Sequence, residues 1–154
     1  MLRVSSRLIR IVVDGCWANA TSQLIGSYSG IPPFFISPHA ALSAVPGVTV
    51  NYVPSITGGC SSTTAADMSA VADAASSADV IIFAGGIDDG IEAESLDRVN
   101  ITWPQNQIDI INQLATYEKP TVILQMGGGQ VDSSFIKENA NLNSLIWGGM
   151  LTMT

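Results

Sequence analysis

The sequence contains little positive charge. Its 154 residues include only 6 Lys and Arg against 13 Asp and Glu, which gives a formal net charge of -7. A negatively charged surface repels the phosphate backbone of nucleic acids, so the composition predicts no nucleic-acid partner. Charged residues make up only 12% of the chain and hydrophobic residues 47%. This balance excludes a disordered chain and indicates one folded domain.

Long hydrophobic runs are also lacking. The longest apolar stretch, residues 80–87, contains two glycines and is far shorter than the roughly 20 residues that span a bilayer. The apolar run after the N-terminal arginines covers only residues 11–13, which is too short for the core of a signal peptide. The sequence therefore predicts no membrane partner, and we expect no secretory signal within this chain.

Cysteine and histidine are scarce. Cys16 and Cys60 are far apart and lack the second pair that a metal knuckle or redox motif needs. They are expected as two buried thiols or as one disulfide, and the thiols are favoured because free cysteine behaves as a small hydrophobe. His39 is the only histidine, and no Gly-x-Ser-x-Gly elbow accompanies it, which argues against a Ser-His-Asp triad. We expect no metal and no cofactor.

Short β-branched runs alternate with helical patterns. Buried strands are predicted over residues 9–13, 48–53, 80–84, 121–125 and 144–147. Helices are predicted over residues 38–44, 65–77, 104–117 and 133–139, with capping boxes at Thr64 with Asp67 and at Thr102 with Gln105. This alternation predicts an α/β fold with a mostly parallel sheet flanked by helices. Because no helical pattern follows the fifth strand to cover its side of the sheet, we expect a truncated domain.

The loops after the strands are where such a sheet places its ligands. The loop after the third strand carries five of the 13 carboxylates between positions 88 and 97. Dense like charge raises pKa values and is tolerated where carboxylates transfer protons, bind a sugar or a cation, or simply reach solvent. These interpretations stay open, although Asp88-Asp89-Gly90 lacks the alternating ligand spacing of a calcium loop.

A second loop, residues 125–130, contains three consecutive glycines. Neither a dinucleotide fingerprint nor a phosphate-loop Lys-Ser or Lys-Thr completes it, so a tight turn beside a neighbouring domain is favoured over nucleotide binding. Ser134 and Lys137 have the Ser-x-x-Lys spacing of a β-lactamase nucleophile without its partner motifs. The three tryptophans could stack on a sugar ring, although core packing is the favoured interpretation.

Two tripeptides match the N-glycosylation acceptor pattern. They are Asn19-Ala20-Thr21 and Asn100-Ile101-Thr102. They are possible glycosylation sites only if the chain passes through the secretory pathway.

Several long motifs, taken together, resemble those of family 3 β-xylosidases among the glycoside hydrolases. The likeness covers roughly residues 11–149 and rests on residues 17–21, 36–38, 84–88, 92–94, 97–98, 100–104, 106–107, 124–134 and 143–149. Two places depart from the family pattern. Gly15-Cys16-Trp17 stands where Gly-Pro-Trp is typical, and Met150-Leu151-Thr152 follows Gly148-Gly149 in place of Tyr-Pro-Gly-Gln.

The resemblance implies that residues 11–149 are the α/β sandwich domain of a larger, secreted, extracellular enzyme. Its barrel domain, absent from this chain, would carry an aspartate nucleophile. The sandwich domain would supply the general acid/base, implied to be Glu94 just before the Asp97-Arg98 pair, with Glu92 as the alternative. The implied partners are that barrel domain and a xylo-oligosaccharide or related β-glycoside.

The implied activity is retaining, exo-acting hydrolysis of terminal β-1,4-xylosyl residues. A retaining glycosidase needs two carboxylates about 5 to 5.5 Å apart, one to attack and one to protonate the leaving oxygen. This chain would supply only the second, so the isolated chain is expected to be inactive. The alternatives are a catalytically silent carbohydrate-binding or interaction domain, and a β-glucosidase or α-arabinofuranosidase of the same family.

Overall fold

A computed structural model of the chain describes residues 9–24, 32–62 and 68–149. Its strands are β1 (Ile9–Asp14), β2 (Val48–Val53), β3 (Val80–Gly86), β4 (Thr121–Met126) and β5 (Ser144–Gly149). Its helices are α1 (Pro38–Ser43), α2 (Met68–Ser77), α3 (Gln105–Ala115) and α4 (Ser134–Glu138), and Ser22–Leu24 forms a short 3-10 turn. Within these ranges no helix has the length and apolar character needed to cross a membrane.

The five strands form one sheet in the order β2-β1-β3-β4-β5, and every neighbouring pair is parallel. The predicted α/β fold with a parallel sheet flanked by helices is therefore confirmed. The chain steps outward from β1 to β2 and then returns across β1 to β3, so the strand order reverses between β1 and β3. In such sheets the ligand crevice lies at this switch point, outside the carboxyl ends of the strands.

Strand alternation divides the core into two layers. On one face, strand residues such as Val12, Phe83 and Ile123 are buried together with Ile111 of α3 and Ile136 of α4. On the other face, the core contains the side chains of Ile11, Val13, Trp17, Ala18, Leu24, Cys60, Ala84 and Met126. Helix α1 packs against β2. The strands at the switch point, β1 and β3, are thus packed on both faces.

β3 and β4 are longer than the sequence pattern predicts. Gly85 and Gly86, expected in the loop, continue the ladder by pairing with Gln125 and Met126. Gly86 has φ 125°, and a Cβ there would lie 2.1 Å from the Met126 carbonyl oxygen. Only glycine fits so close an approach. The two glycines therefore extend the sheet to the edge of the candidate site.

The capping box predicted for Thr102 and Gln105 is wrong. Helix α3 begins at Gln105 after Pro104, and its N-cap makes no side-chain hydrogen bond. Thr102 instead forms an isolated parallel bridge with Asp132, and the Gln105 amide donates along the helix to Asp109 Oδ1 at 2.8 Å. The other predicted box, at Thr64 and Asp67, lies outside the described residues.

Candidate active site

The loops that follow β1, β3 and β4 are hydrogen-bonded to one another at the carboxyl edge of the sheet. The Trp17 backbone N–H donates to the Ala84 carbonyl at 2.9 Å, and its indole Nε1 donates to the Ile87 carbonyl at 3.2 Å. The Ile87 N–H in turn donates to the Met126 carbonyl at 3.2 Å. Trp17 is fully buried. The segments at the switch point therefore hold each other in place.

A cavity of about 230 Å³ opens at this edge, and we call it the acidic cavity. It is lined by Ile87, Asp88, Asp89, Glu92, Ala93, Asp97, Gly128 and Gly129. The carboxylate-rich loop after β3 and the glycine-rich loop after β4 thus form one site. The sequence alone does not indicate that these loops meet, and it predicts that the glycines form a tight turn beside a neighbouring domain.

Asp88 fixes the start of the carboxylate-rich loop. Its side chain is buried, and Oδ2 accepts the Cys60 backbone N–H at 2.7 Å and the Gln23 amide at 3.4 Å. Oδ1 accepts the Gly90 N–H at 3.1 Å. These hydrogen bonds make Asp88 an anchor for the backbone of the loop. The other carboxylates that line the acidic cavity are those of Asp89, Glu92 and Asp97.

Glu92 is held between the two loops. Arg98 Nε donates to Glu92 Oε2, and Arg98 Nη2 donates to the Gln130 carbonyl of the glycine-rich loop. The Glu92 carboxylate lies so close to Gly129 that a Cβ at residue 129 would be 2.3 Å from Oε1. The ion pair with Arg98 therefore positions Oε2 of Glu92, and the contact with Gly129 limits the position of Oε1.

Glu94 lies at the tip of a tight turn. Ala93 and Leu96 form an antiparallel bridge with hydrogen bonds of 3.1 and 2.9 Å, and Ser95 has φ 65°. Glu94 is exposed and is not among the residues that line the acidic cavity. The structure thus separates the two glutamates that the resemblance implied, and their roles stay predictions.

Cys16 and Cys60 form a disulfide, with their Cα atoms 5.2 Å apart. The favoured expectation of two buried thiols is therefore wrong. β1 and β2 are neighbouring parallel strands that end in register at Asp14 and Val53. The loops that follow them consequently leave the same edge of the sheet and bring the two cysteines together.

Gln107 is a site residue whose position sequence reasoning did not explain. It is fully buried, and its amide nitrogen donates to the Cys60 carbonyl at 3.1 Å and to the Gly86 carbonyl at 2.8 Å. Its Oε1 accepts the Gly86 N–H at 2.8 Å. Gln107 precedes Ile110, Ile111 and Leu114 on the buried face of α3, and a polar residue in such a stripe signals a buried hydrogen-bonding role.

Asp14 is a second residue without a sequence signal. It ends β1 fully buried, and its Oδ1 accepts hydrogen bonds from the Gly15 N–H at 2.6 Å, the Ser55 N–H at 3.0 Å and the Ser55 hydroxyl. Burial raises the pKa of Asp14 despite these bonds, and Oδ2 has no partner among the described residues. Burial and the nearby Asp14 charge also raise the pKa of Tyr52.

The side chains of Ser134 and His39, which the sequence also singled out, contact other residues of the fold. The Ser134 hydroxyl donates to Asp132 Oδ1 at 2.6 Å, and this bond together with the Ser134 N–H lowers the pKa of Asp132. The His39 ring packs on Tyr52 with centroids 5.2 Å apart. Across the described ranges, no group of three or more His, Cys, Asp or Glu is arranged to hold a metal ion.

The tryptophans differ in exposure. Trp17 and Trp103 are buried core residues, as favoured from the sequence, whereas Trp147 is 65% exposed and donates its indole N–H to the Gly127 carbonyl at 3.3 Å. Asn19 and Asn100 are both exposed, as glycosylation acceptors must be. Their modification stays a prediction.

Residues 4–153 match the family model described as the glycosyl hydrolase family 3 C-terminal domain. The chain is 51% identical over 148 residues to a probable exo-1,4-β-xylosidase xlnD of Aspergillus terreus, covering 96% of this chain and 18% of that protein. It is 52% identical over 141 residues to an exo-1,4-β-xylosidase xlnD of Aspergillus niger, covering 90% of this chain and 17% of that protein. The chain therefore spans less than a fifth of the length of these relatives.

Solved structures agree with this assignment. A GH3 exo-β-xylosidase (XlnD) in complex with a xylobiose aziridine activity-based probe matches with a TM-score of 0.85 and 48% identity, over 98% of this chain and 19% of that one. A β-glucosidase from Listeria innocua in complex with isofagomine has the same fold, with a TM-score of 0.74 and 20% identity, over 97% of this chain and 21% of that one. The chain belongs to the C-terminal domain family of the family 3 glycoside hydrolases, and its similarity to exo-β-xylosidases extends over nearly its whole length.

Proposed function

We propose that this chain is the part of a retaining, exo-acting β-xylosidase that supplies the general acid/base, and that the complete enzyme removes terminal β-1,4-xylosyl residues from xylo-oligosaccharides. The observation that carries the proposal is the acidic cavity at the switch point of the sheet. Its chemistry suits proton transfer, because it presents positioned carboxylates at the edge where α/β sheets bind their ligands.

The reaction assigns different tasks to two carboxylates. An aspartate from the barrel domain of the same protein would attack the anomeric carbon and form the glycosyl-enzyme. A glutamate of this domain would protonate the leaving oxygen and then, as the carboxylate, take a proton from the attacking water. The second task needs a side chain that is held in one position and reaches the substrate.

We assign this task to Glu92 because it lines the acidic cavity, and we keep Glu94 as the alternative. Glu92 lines the acidic cavity and is held by Arg98 and Gly129, whereas Glu94 is exposed on the tip of a turn outside the lining. Arg98 holds Oε2, and Oε1 lies against the glycine-rich loop. The resemblance of the motifs still implies Glu94, so the two glutamates form a matched pair for experiment.

Leaving-group dependence in the complete enzyme tests the proposal. Glu92→Ala should lower kcat/KM on xylobiose by the factor of about 10² to 10⁴ typical of general acid catalysis, because its leaving alkoxide needs a proton. An aryl β-xyloside with an acidic phenol should form the glycosyl-enzyme quickly and release xylose slowly, seen as a burst. Glu94→Ala is the control. Equal losses on both substrates in Glu92→Ala would contradict a proton-transfer role.

The sugar preference is tested with the wild-type enzyme. The corresponding aryl β-glucoside and α-arabinofuranoside should be cleaved more slowly than the aryl β-xyloside. A higher kcat/KM on either substrate would show that the enzyme prefers that sugar to xylose, and the acid/base proposal would be unaffected. Glycoside hydrolysis of this type uses carboxylates alone, so the proposal involves no cofactor.

An extracellular location is part of the proposal. The Cys16–Cys60 disulfide supports it, because structural disulfides persist in oxidising compartments. The exposed Asn19 and Asn100 acceptors also fit this location. An endoglycosidase should increase the gel mobility of the secreted protein, and loss of that shift in Asn19→Gln/Asn100→Gln would assign the glycans.

A further inference from the structure

We infer that the Cys16–Cys60 disulfide is a positioning element for the acidic cavity, which acts through Asp88 to fix the backbone of Glu92. This inference rests on the proposed function, because its consequence is read from the acid/base reaction. The disulfide, Asp88 and Glu92 are joined by a short series of hydrogen bonds.

The first step is the firm attachment of Cys16. It follows β1, an interior strand of the sheet, and the neighbouring Trp17 is fully buried and hydrogen-bonded to Ala84 and Ile87 of the β3 segment. Cys60 lies in the loop after β2, which is an edge strand. The disulfide therefore links the loop after an edge strand to the loop after an interior strand.

The second step leads from Cys60 to Asp88. The Cys60 N–H donates to Asp88 Oδ2 at 2.7 Å, and the Cys60 carbonyl accepts from Gln107 at 3.1 Å. Gln107 itself accepts a hydrogen bond from the Gly86 N–H and donates one to the Gly86 carbonyl. Cys60 is thus held from three sides, and its N–H is aimed at a buried carboxylate.

The third step leads from Asp88 to Glu92. The Asp88 carbonyl accepts the Ile91 N–H at 2.9 Å and the Glu92 N–H at 3.1 Å. The orientation of Asp88 therefore sets the turn that delivers Glu92 to the acidic cavity. When the disulfide is absent, Cys60 keeps only its hydrogen bonds to Asp88 and Gln107, and the donor that orients the Asp88 carboxylate loses its covalent link to the segment after β1.

The predicted consequence is a catalytic defect in addition to a stability defect. A displacement of about 1 Å at a reacting group can lower the rate by about 10²-fold. Substrate binding by the barrel domain would be little affected. The disulfide-free enzyme should therefore lose kcat by about 10- to 100-fold while KM changes little.

The experiment compares four variants of the complete enzyme: Cys16→Ala/Cys60→Ala, Asp88→Asn, their combination, and Ile110→Val. The last is the control, because Ile110 is a buried apolar core residue and its truncation lowers stability without removing a hydrogen bond to Asp88 or Cys60. kcat, KM and the pH profile are measured on xylobiose well below each melting temperature. Hydrogen exchange of residues 88–98 is measured in parallel.

We expect the cysteine and Asp88 variants to show similar losses of kcat, and the combination to be no worse than the more defective of the two, since coupled residues are non-additive. Their exchange in residues 88–98 should be faster, and Ile110→Val should keep the wild-type kcat and pH profile. Wild-type kcat and exchange in the cysteine variant would overturn the inference and leave the proposed function intact, as would strictly additive losses. If the wild-type enzyme has no xylosidase activity, the proposed function fails, and unchanged exchange in residues 88–98 then overturns the inference separately.

Discussion

Gly129 leaves the space that the Glu92 carboxylate occupies. A Cβ at residue 129 would lie 2.3 Å from Glu92 Oε1 and 2.8 Å from Cδ, whereas carbon makes ordinary contacts at about 3.5 Å. In Gly129→Ala the carboxylate must consequently move by about 1 Å. That displacement also pulls Oε2 away from Arg98, whose Nη2 is held by the Gln130 carbonyl.

The expected effects on stability and activity are very different. The Glu92 carboxylate is the far end of a flexible side chain, so Gly129→Ala should change the free energy of unfolding by less than about 1 kcal/mol. Its kcat on xylobiose should fall by about 10²-fold, because the acid/base is misplaced. Gly86→Ala is the opposite case. Its Cβ would meet the Met126 backbone at φ 125°, which should cost about 2 kcal/mol or more.

Urea unfolding and steady-state kinetics of both variants of the complete enzyme separate these effects. Gly129→Ala should keep nearly the wild-type free energy of unfolding and should have a much lower kcat. A Gly129→Ala enzyme with wild-type kcat would refute the reasoning, since Glu92 could then leave its observed position without consequence.

Three further predictions concern the domain itself. The Cys16–Cys60 disulfide closes a loop with a sequence separation of 44, so its reduction should lower the free energy of unfolding by about 4 kcal/mol on the chain-entropy relation. Urea unfolding with and without a phosphine reductant measures this change, and a value below about 1 kcal/mol would contradict the prediction. Because burial raises the pKa of Asp14, its contribution to stability is complete below the ordinary pKa and is lost as pH rises through the raised value; Asp14→Asn should flatten this part of the pH–stability curve, and an unchanged slope would count against the assignment. The purified 154-residue chain should not cleave aryl β-xylosides, because it supplies one of the two required carboxylates; turnover that disappears in Glu92→Ala would show otherwise.

Hydrophobic periodicity was sufficient to predict the α/β class and the parallel sheet, but not the strand order. β-Branched runs became strands, and the apolar stripe that includes Ile111 became the buried face of α3. The prediction of buried strands is wrong for residues 48–53 and 144–147, which form the partly exposed edge strands β2 and β5. Strand and helix ends were less accurate, because Gly85 and Gly86 pair with β4 through a close backbone approach that local propensity does not reveal.

The candidate site was only partly predictable. The carboxylate-rich loop and the edge of the sheet follow from the sequence, but the separation of Glu92 from Glu94 depends on the left-handed conformation of Ser95 and on the space at Gly129. The Cys16–Cys60 disulfide depends on β1 and β2 being neighbours. These are tertiary relations, and residue spacing does not encode them.

The most direct test of the central claim is the product that the complete Glu92→Ala enzyme forms from an aryl β-xyloside in the presence of azide. Azide needs no general base, so it should attack the accumulated glycosyl-enzyme, restore turnover and give the β-xylosyl azide, identified by NMR. Glu94→Ala should gain little from azide. If azide instead rescues Glu94→Ala, the acid/base lies two residues from our assignment. If it rescues neither variant, or gives the α-azide, this domain does not supply the acid/base of a retaining xylosidase.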